Sequence, residues 1–350
     1  MPTIYDVAKL AGVSPKTVSR VINADAPVGI STRERVESAI HDLGYRPSKA
    51  ARMMRSNRSG LVGLITGAIS QIPDTNEPRG LPDLFLIQGI QKVMAEHDLI
   101  LTIADTGEDY DRVPRLIEAF LEHRVEGLIY VADHHQQVNL DVYKADVPVL
   151  LVNCYDDKQT PSILPDDIAG QRDLVERLIA HGHRRIAFLG LDQNTAAGAL
   201  RLEGYRQAMQ GAGLPIDTSW VQQGHSRQAS DLNAYLDNAL SQVLPSKPSV
   251  ICCGNDEMAL RVYGLLRTRG IRVPEEVSVA GYDNYKAIAE TLYPTLTTVE
   301  LPYVDMGRLA GQQLVDMIKG RTGPTDSPRL VAGPVVWRSS VTSLASSTIQ

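Results

Sequence analysis

Between residues 61 and 280 the chain alternates short apolar runs with segments of helical length. Leu61-Val62-Gly63-Leu64-Ile65, Ile100-Leu101-Thr102-Ile103-Ala104, Gly127-Leu128-Ile129-Tyr130-Val131 and Val149-Leu150-Leu151-Val152 are set among helical patterns near 84–97 and 112–123. The alternation then repeats. A helix near 167–181 leads to Ile186-Ala187-Phe188-Leu189, one near 197–212 to Val221-Gln222-Gln223, one near 228–241 to Val250-Ile251-Cys252-Cys253 and one near 256–269 to Val277-Ser278-Val279-Ala280. Apolar runs of this length, without polar alternation, are strands covered on both faces. Strands joined through helices pair in parallel, so the fold class is α/β, with two doubly wound lobes in tandem. Ligands of open α/β sheets sit beyond the carboxyl ends of the strands. With two lobes, that places a ligand in the cleft between them.

The first sixty residues read differently. Residues 3–23 form two short helices joined by a tight turn. Thr3 can cap the first, its hydroxyl accepting from a free backbone N–H. Ile4, Val7, Ala8 and Ala11 fall on one face, and Gly12 supplies the backbone freedom of the turn. Ser14 caps the second helix, with Pro15 at its first position, where a missing N–H costs nothing. Val18, Val21 and Ile22 face inward, which leaves Pro15, Lys16, Thr17, Ser19 and Arg20 for the other face. A helix that is polar and cationic at its N-terminal end is what the DNA major groove admits and reads. Residues 31–45 form a third amphipathic helix ending at Gly44. Residues 46–58 are basic and have no apolar face wide enough for a core.

Charge divides the chain the same way. Residues 1–58 carry ten Lys and Arg against five Asp and Glu, about +5, while the whole chain is −6, which leaves about −11 on the rest. Such asymmetry points to a nucleic-acid module joined to something else. There is no apolar stretch of 18 residues and no N-terminal signal segment, so no membrane association and a cytoplasmic location are expected. Cys154, Cys252 and Cys253 lie in apolar surroundings without metal-ligand spacing and are expected to be buried and reduced. His134-His135 reads as a solvated loop. No Gly-x-Gly-x-x-Gly follows a strand, no phosphate loop is present and no triad spacing stands out, so the chain is not expected to be an enzyme. No metal and no cofactor is expected.

Tyr5-Asp6-Val7-Ala8, Gly12-Val13-Ser14, Thr17-Val18-Ser19-Arg20-Val21, Thr32-Arg33 and Gly44-Tyr45-Arg46-Pro47 resemble the LacI/GalR family of bacterial transcriptional regulators, and the likeness runs nearly the whole chain. The resemblance implies a cytoplasmic, nucleoid-associated homodimer on a pseudo-palindromic operator in double-stranded DNA. It implies a helix-turn-helix domain at 1–45, a hinge helix at 46–58 that forms on DNA and enters the minor groove, and a periplasmic-binding-protein-like core at 60–340. The first lobe would take about 60–164 and 299–325, and the second about 165–298 and 326–340, with crossings near 164, 298 and 325. The final strand, near 329–338, would complete the second lobe. The DNA-contacting set implied is Thr3, Tyr5, Ser14, Pro15, Lys16, Thr17, Ser19, Arg20 and Asn23 in the head and Lys49, Ala51, Met54 and Arg55 in the hinge, with Arg52 a further phosphate contact. Met54 stands where the family usually has a leucine wedge. It is apolar and flexible enough to wedge between base pairs.

Polar residues follow several strands, where the sheet argument wants them: Asn153, Asn255, Asp256 and Asp283, with Arg201 at the start of the helix after 186–189. Asn, Asp and Arg can bond vicinal hydroxyls in pairs, which suits a sugar. The resemblance assigns effector contact to Asn153, Arg201, Asn255 and Asp283, and stacking on the effector to Tyr303, beside a lobe crossing. Asp256 stands equally where a helix N-cap would, Asp283 could cap the following segment, and Arg201 could pair with Glu203. Where many relatives carry an aromatic residue after the strand near 221–224, this chain has Gly224-His225-Ser226-Arg227. That argues for a roomier, more polar cleft and an oligosaccharide rather than a flat purine. The segments Val152-Asn153-Cys154, Pro165-Asp166-Asp167 and Pro294-Thr295-Leu296-Thr297-Thr298 resemble the sucrose- and raffinose-type repressors. The function implied is a sugar-released repressor of a carbohydrate operon. A purine- or metabolite-responsive corepressor-type regulator is the alternative, and a sugar-binding transport component a remote one. The tail, 339–350, lacks heptads, so a dimer without a coiled-coil tetramer is expected.

Overall fold

The computed structural model describes residues 2–23, 27–45, 58–67, 82–107, 109–140, 145–224, 232–321 and 328–344. The chain divides into two units, Met1–Gly60 and Leu61–Gln350. Among the described residues no helix is long and apolar enough to cross a membrane.

In the first unit α1 (Ile4–Ala11), α2 (Pro15–Asn23) and α3 (Ile30–Leu43) bury Val7, Ala8, Ala11, Val18, Val36 and Ala39 in one small core. Gly12 ends α1 in the left-handed conformation, φ 63°, as the tight turn requires. Thr3 closes the start of α1 as a capping box with Asp6. Its backbone N–H and its hydroxyl both donate to the Asp6 carboxylate, at 2.7 Å each. The hinge lies outside the described residues, and with it Lys49, Ala51, Arg52, Met54 and Arg55.

The second unit holds two six-stranded sheets. Its elements in chain order are β1 (Leu61–Thr66), α4 (Pro82–Glu96), β2 (Ile100–Asp105), α5 (Val113–Glu122), β3 (Leu128–Gln137), β4 (Val149–Tyr155), β5 (Ser162–Pro165) and α6 (Asp167–Ala180). These lead on to β6 (Ile186–Leu189), α7 (Ala196–Gly211), β7 (Val221–Gln222), α8 (Leu232–Val243), β8 (Val250–Cys253) and α9 (Asp256–Thr268). The chain closes with β9 (Ser278–Asp283), α10 (Lys286–Ala289), β10 (Thr297–Glu300), α11 (Tyr303–Ile318), β11 (Arg329–Val331) and β12 (Val335–Val336).

The first sheet has the order β11-β5-β4-β3-β1-β2 and is parallel throughout. The second has the order β12-β10-β9-β8-β6-β7, with β12 antiparallel to β10. Central strands such as β6 and β8 are buried at every residue, as helices on both faces demand. The strand β2 closes one edge and leaves Ile100 and Ile103 exposed.

The chain passes between lobes at residue 166, at 301–302 and at 332–334. The last passage differs from the expected position near 325. Arg329–Val331 pairs with β5 in the first sheet, and only Val335–Val336 pairs with β10 in the second. The run near 329–338 is thus two short strands in different sheets, and 329–331 belongs to the first lobe. Gly333 sits in this passage where a Cβ would strike the Glu300 carbonyl oxygen, so the third strap lies directly on the second.

All three cysteines are buried and unpaired, and burial pushes their thiols up, that of Cys252 to about 12. His183 is structural. Its two ring nitrogens meet Ser249 Oγ and the Thr342 carbonyl, each at 2.9 Å.

Candidate functional site

In the head, α2 presents Lys16 and Arg20 fully outward, with Ser14 exposed before them and Pro15 and Thr17 half-buried. Ser14 Oγ accepts from the Thr17 N–H at 3.1 Å and so caps the helix. Its N-terminal turn contains no acid, so the positive end of its dipole and its cationic side chains are both favourable to phosphate. Tyr5 is 71% exposed on α1, and Thr3 and Asn23 are exposed as well. Ser19 departs from the expectation. It is 8% exposed, on the inner side of α2, and its Oγ accepts from Asn23 Nδ2 at 3.2 Å. Helical geometry turns Ser19 about 60° from Lys16 in one sense and Arg20 about 40° in the other. The first turn leads toward the core and the second stays outside, so the outward pair is Lys16 and Arg20.

In the lobed core, Arg201 of α7 is the hub. Its Nε donates to Asp167 Oδ1 at 2.8 Å, and its Nη1 donates to the Gly254 carbonyl at 2.6 Å and more weakly to Asp283 Oδ1 at 3.4 Å. The guanidinium lies 3.7 Å from the centroid of the Tyr282 ring. Its Nη2 makes no hydrogen bond among the described residues. Glu203 instead binds Gln207 on the outside of α7.

Asp167 enters the sequence reading only within a segment likeness, yet it is a central residue. Its side chain is fully buried, and its second oxygen meets His135 Nδ1 at 2.8 Å. His135 lies on β3 of the first lobe, whereas Asp167 and Arg201 belong to the second, so this contact ties the lobes. His134-His135 is therefore no solvated loop: His135 is 5% exposed and His134 is half-buried against Asp133. The signal was present in α6. Asp167 heads a buried stripe with Gln171, Leu174, Val175 and Leu178, and an acid at the head of an apolar stripe needs a buried partner.

The other expected residues gather at the ends of the strands. Asp283 ends β9 with φ 115°, and Asn284 and Asn153 also have positive φ, at 52° and 60°. Side-chain-bearing residues take such conformations at a cost, which the surroundings must impose. Asn153 is buried and donates from Nδ2 to the Ala132 carbonyl at 3.0 Å, which leaves its Oδ1. Asn255 is the N-cap of α9, its Oδ1 accepting from the Met258 N–H at 2.8 Å, which leaves its Nδ2. Asp256 is not that cap. It is the first helical residue, and its carboxylate accepts from Thr298 Oγ1 at 2.6 Å and the Tyr285 N–H at 2.7 Å, bracing α9 to β10. Tyr303 begins α11 just after the second crossing and packs against the cores of both lobes. His225, Ser226 and Arg227 lie outside the described residues.

The charges follow from this geometry. Burial pushes Asp167 up, but the Arg201 charge and the His135 bond outweigh it and hold the carboxyl below its usual range. Burial disfavours the Arg201 cation, but Asp167 and Asp283 outweigh it and keep the proton firmly on. Asp283 is pushed up to about 6, by burial first and then by Asp167, with Arg201 opposing. Asp256 is pushed up to about 8, mainly by burial and next by Asp283. The site thus holds a neutralised guanidinium, one partly exposed carboxylate and two amides with unused groups. Such a set can donate to and accept from adjacent hydroxyls.

A model of bacterial regulatory proteins of the lacI family matches residues 3–48, and a periplasmic binding protein-like domain matches 175–341. The Ribose operon repressor of Escherichia coli (strain K12) is 33% identical over 342 residues, 96% of this chain and 98% of that protein. The chain belongs to the lacI family of bacterial regulatory proteins. The Sucrose operon repressor of Shigella flexneri is 32% identical over 327 residues, 92% of this chain and 95% of that protein. The solved structure of the lac repressor dimer bound to operator and the anti-inducer ONPF is 25% identical, with a TM-score of 0.78 over 97% of this chain and 99% of that one. Membership makes the chain a transcriptional regulator that binds DNA through its helix-turn-helix head. A ribose and a sucrose repressor stand at nearly equal identity, so overall likeness does not select the effector. The residues of the site must do that.

Proposed function

We propose that this protein represses a carbohydrate operon as a homodimer on a pseudo-palindromic operator, and that a sugar held between its lobes releases it. The observation that carries the reading is Arg201 bound both to Asp283 and to the Gly254 carbonyl beside Asn255, with Arg201 Nη2 and Asn255 Nδ2 left over at the carboxyl ends of the strands; Asn153 Oδ1, on the first lobe, would complete the set. Hydroxyl-rich ligands need such paired donors and acceptors. The lac repressor dimer on its operator supports the dimer and the operator, and the ribose and sucrose repressors support a carbohydrate operon. Tyr303 would cover the sugar, since it touches both lobes. Lys16 and Arg20 would read bases, and the hinge residues Lys49, Arg52 and Arg55 would hold phosphates, with Met54 as the wedge. The protein acts by binding and not by catalysis, and in the cytoplasm, where its DNA partner lies.

Release follows from linkage. A ligand that binds one lobe arrangement better than another shifts the population toward it, and with it the DNA-binding competence of the dimer. The test is an operator selected from random fragments, followed by a gel-shift titration with mono- and oligosaccharides. The expected result is sequence-selective binding that one sugar abolishes in the parent but not in Asp283→Ala. Sugar release that is unaltered in Asp283→Ala would remove this site from the reading.

A further inference from the structure

The charge balance around Arg201 reaches further than its hydrogen bonds, and its consequence rests on the sugar reading above. A guanidinium at a ligand site ordinarily invites an anion, because it offers a planar fork to phosphate or carboxylate. Here that fork is already occupied. Asp167, with its side chain fully buried, takes the Nε edge at 2.8 Å, and Asp283 and the Gly254 carbonyl share Nη1. Arg338, which bonds Asn284 next to Asp283 in the chain, is spent as well, on the Leu296 carbonyl at 2.8 Å, Asn284 Oδ1 at 2.8 Å and Glu290 at 3.5 Å. What the site presents is a single uncommitted Nη2 beside a carboxylate whose side chain is 31% exposed. That pair can satisfy a diol, which donates to the carboxylate and accepts from the N–H. A phosphate or carboxylate in the same place would face Asp283 with Arg201 and Arg338 both already paired.

We infer that the effector is an uncharged sugar, and that Asp167 is the specificity-determining residue that turns phosphorylated and carboxylated sugars away. Asp167 does this without touching the ligand, by neutralising Arg201 from behind. Its other oxygen meets His135 of the first lobe, away from Arg201.

The test is calorimetric titration of the full-length protein at pH 7.5 and low salt with matched pairs: sucrose and sucrose 6-phosphate, cellobiose and cellobiose 6-phosphate, ribose and ribose 5-phosphate. The parent should bind the neutral member of one pair and bind its phosphate about tenfold or more weakly. Asp167→Asn, which keeps the side-chain shape and removes the charge, should narrow that ratio. His135→Asn breaks the contact between lobes but keeps the Asp167 charge, and should leave the ratio as it was. If Asp167→Asn does not fold, Asp283→Asn serves in its place, because it removes the other carboxylate facing the ligand and should also narrow the ratio. A phosphate bound as tightly as its parent sugar overturns the inference and leaves the sugar reading standing. A ratio unchanged in Asp167→Asn removes Asp167 from the selectivity. Binding of neither member of any pair overturns the sugar reading, and the inference with it.

Discussion

Arg201 and Asp167 should be strongly coupled in stability, and a double-mutant cycle measures it. The perturbations are Arg201→Met and Asp167→Leu, each replacing a charge with an apolar chain of similar bulk. Arg201→Met leaves the fully buried Asp167 carboxylate with His135 alone, and stranding a buried charge costs about 3–5 kcal/mol. Asp167→Leu leaves Arg201 with the Gly254 carbonyl and Asp283, so its cost should lie near the lower end, about 3 kcal/mol. The double variant strands neither charge and should cost no more than one of the singles, so a coupling of about 3 kcal/mol is expected. Urea unfolding followed by tryptophan fluorescence reads the right region, because Trp220 and Trp337 both pack against the core of the second lobe. The pH dependence has a definite sign. Asp167 is held below the usual carboxylate range, so its contribution is present above the unfolded value of 3.8 and lost as pH falls through the folded one. The gap between parent and Asp167→Leu should therefore hold from pH 7 to pH 5 and close only in stronger acid. Costs that simply add, to within about 0.5 kcal/mol, would refute the buried pair as the source of stability.

Asp256 has the opposite sign: its carboxyl is raised to about 8, so its stabilising effect is present in acid and lost as pH rises through 8. Asp256→Asn should therefore gain melting temperature relative to the parent between pH 5 and pH 8.5, and a constant difference would contradict this. Gly307 lies where α11 meets α4, and a Cβ there would strike the Leu86 carbonyl oxygen and come 3.1 Å from Gly89 Cα. Alanine gains about 1 kcal/mol of helix propensity but must push the two helix backbones apart, so Gly307→Ala should lose about 2 kcal/mol net, whereas Gly264→Ala, with open space around it, should gain in a thermal melt. Arg20→Ala should cost about 1–3 kcal/mol of operator affinity and relax the base preference at one position, read by binding selection. Unchanged selectivity would place the base contacts elsewhere on α2.

Much of the fold was legible because its signals are local. The apolar runs at 61–65, 186–189 and 250–253 have no polar face, and such strands can only be central and parallel. The turn at Gly12 and the cap at Ser14 follow from backbone chemistry within four residues. The returning strands at 329–331 and 335–336 were not legible. Each is too short to carry a period, and what separates them is the choice of partner strand, a tertiary fact.

The site divides along the same line. Asn153, Asn255 and Asp283 could be found because the sheet argument says where to look: the polar residue that ends an apolar run at the carboxyl end of a strand. That argument finds positions without saying how much of each side chain is already in use. Asn255 spends its oxygen on a cap, Asn153 its nitrogen on Ala132, and Arg201 two of its three nitrogens on the protein. Read as whole residues, these suit anions and hydroxyls alike, and only the remainder after internal bonding separates the two. The remainder is set by Asp167, 34 residues before Arg201 and brought to it by the fold. Sequence therefore reached the polar residues near the strand ends and stopped short of their net charge. That charge depends on the buried Asp167 carboxylate, and under the proposed function it would decide which sugars the site admits.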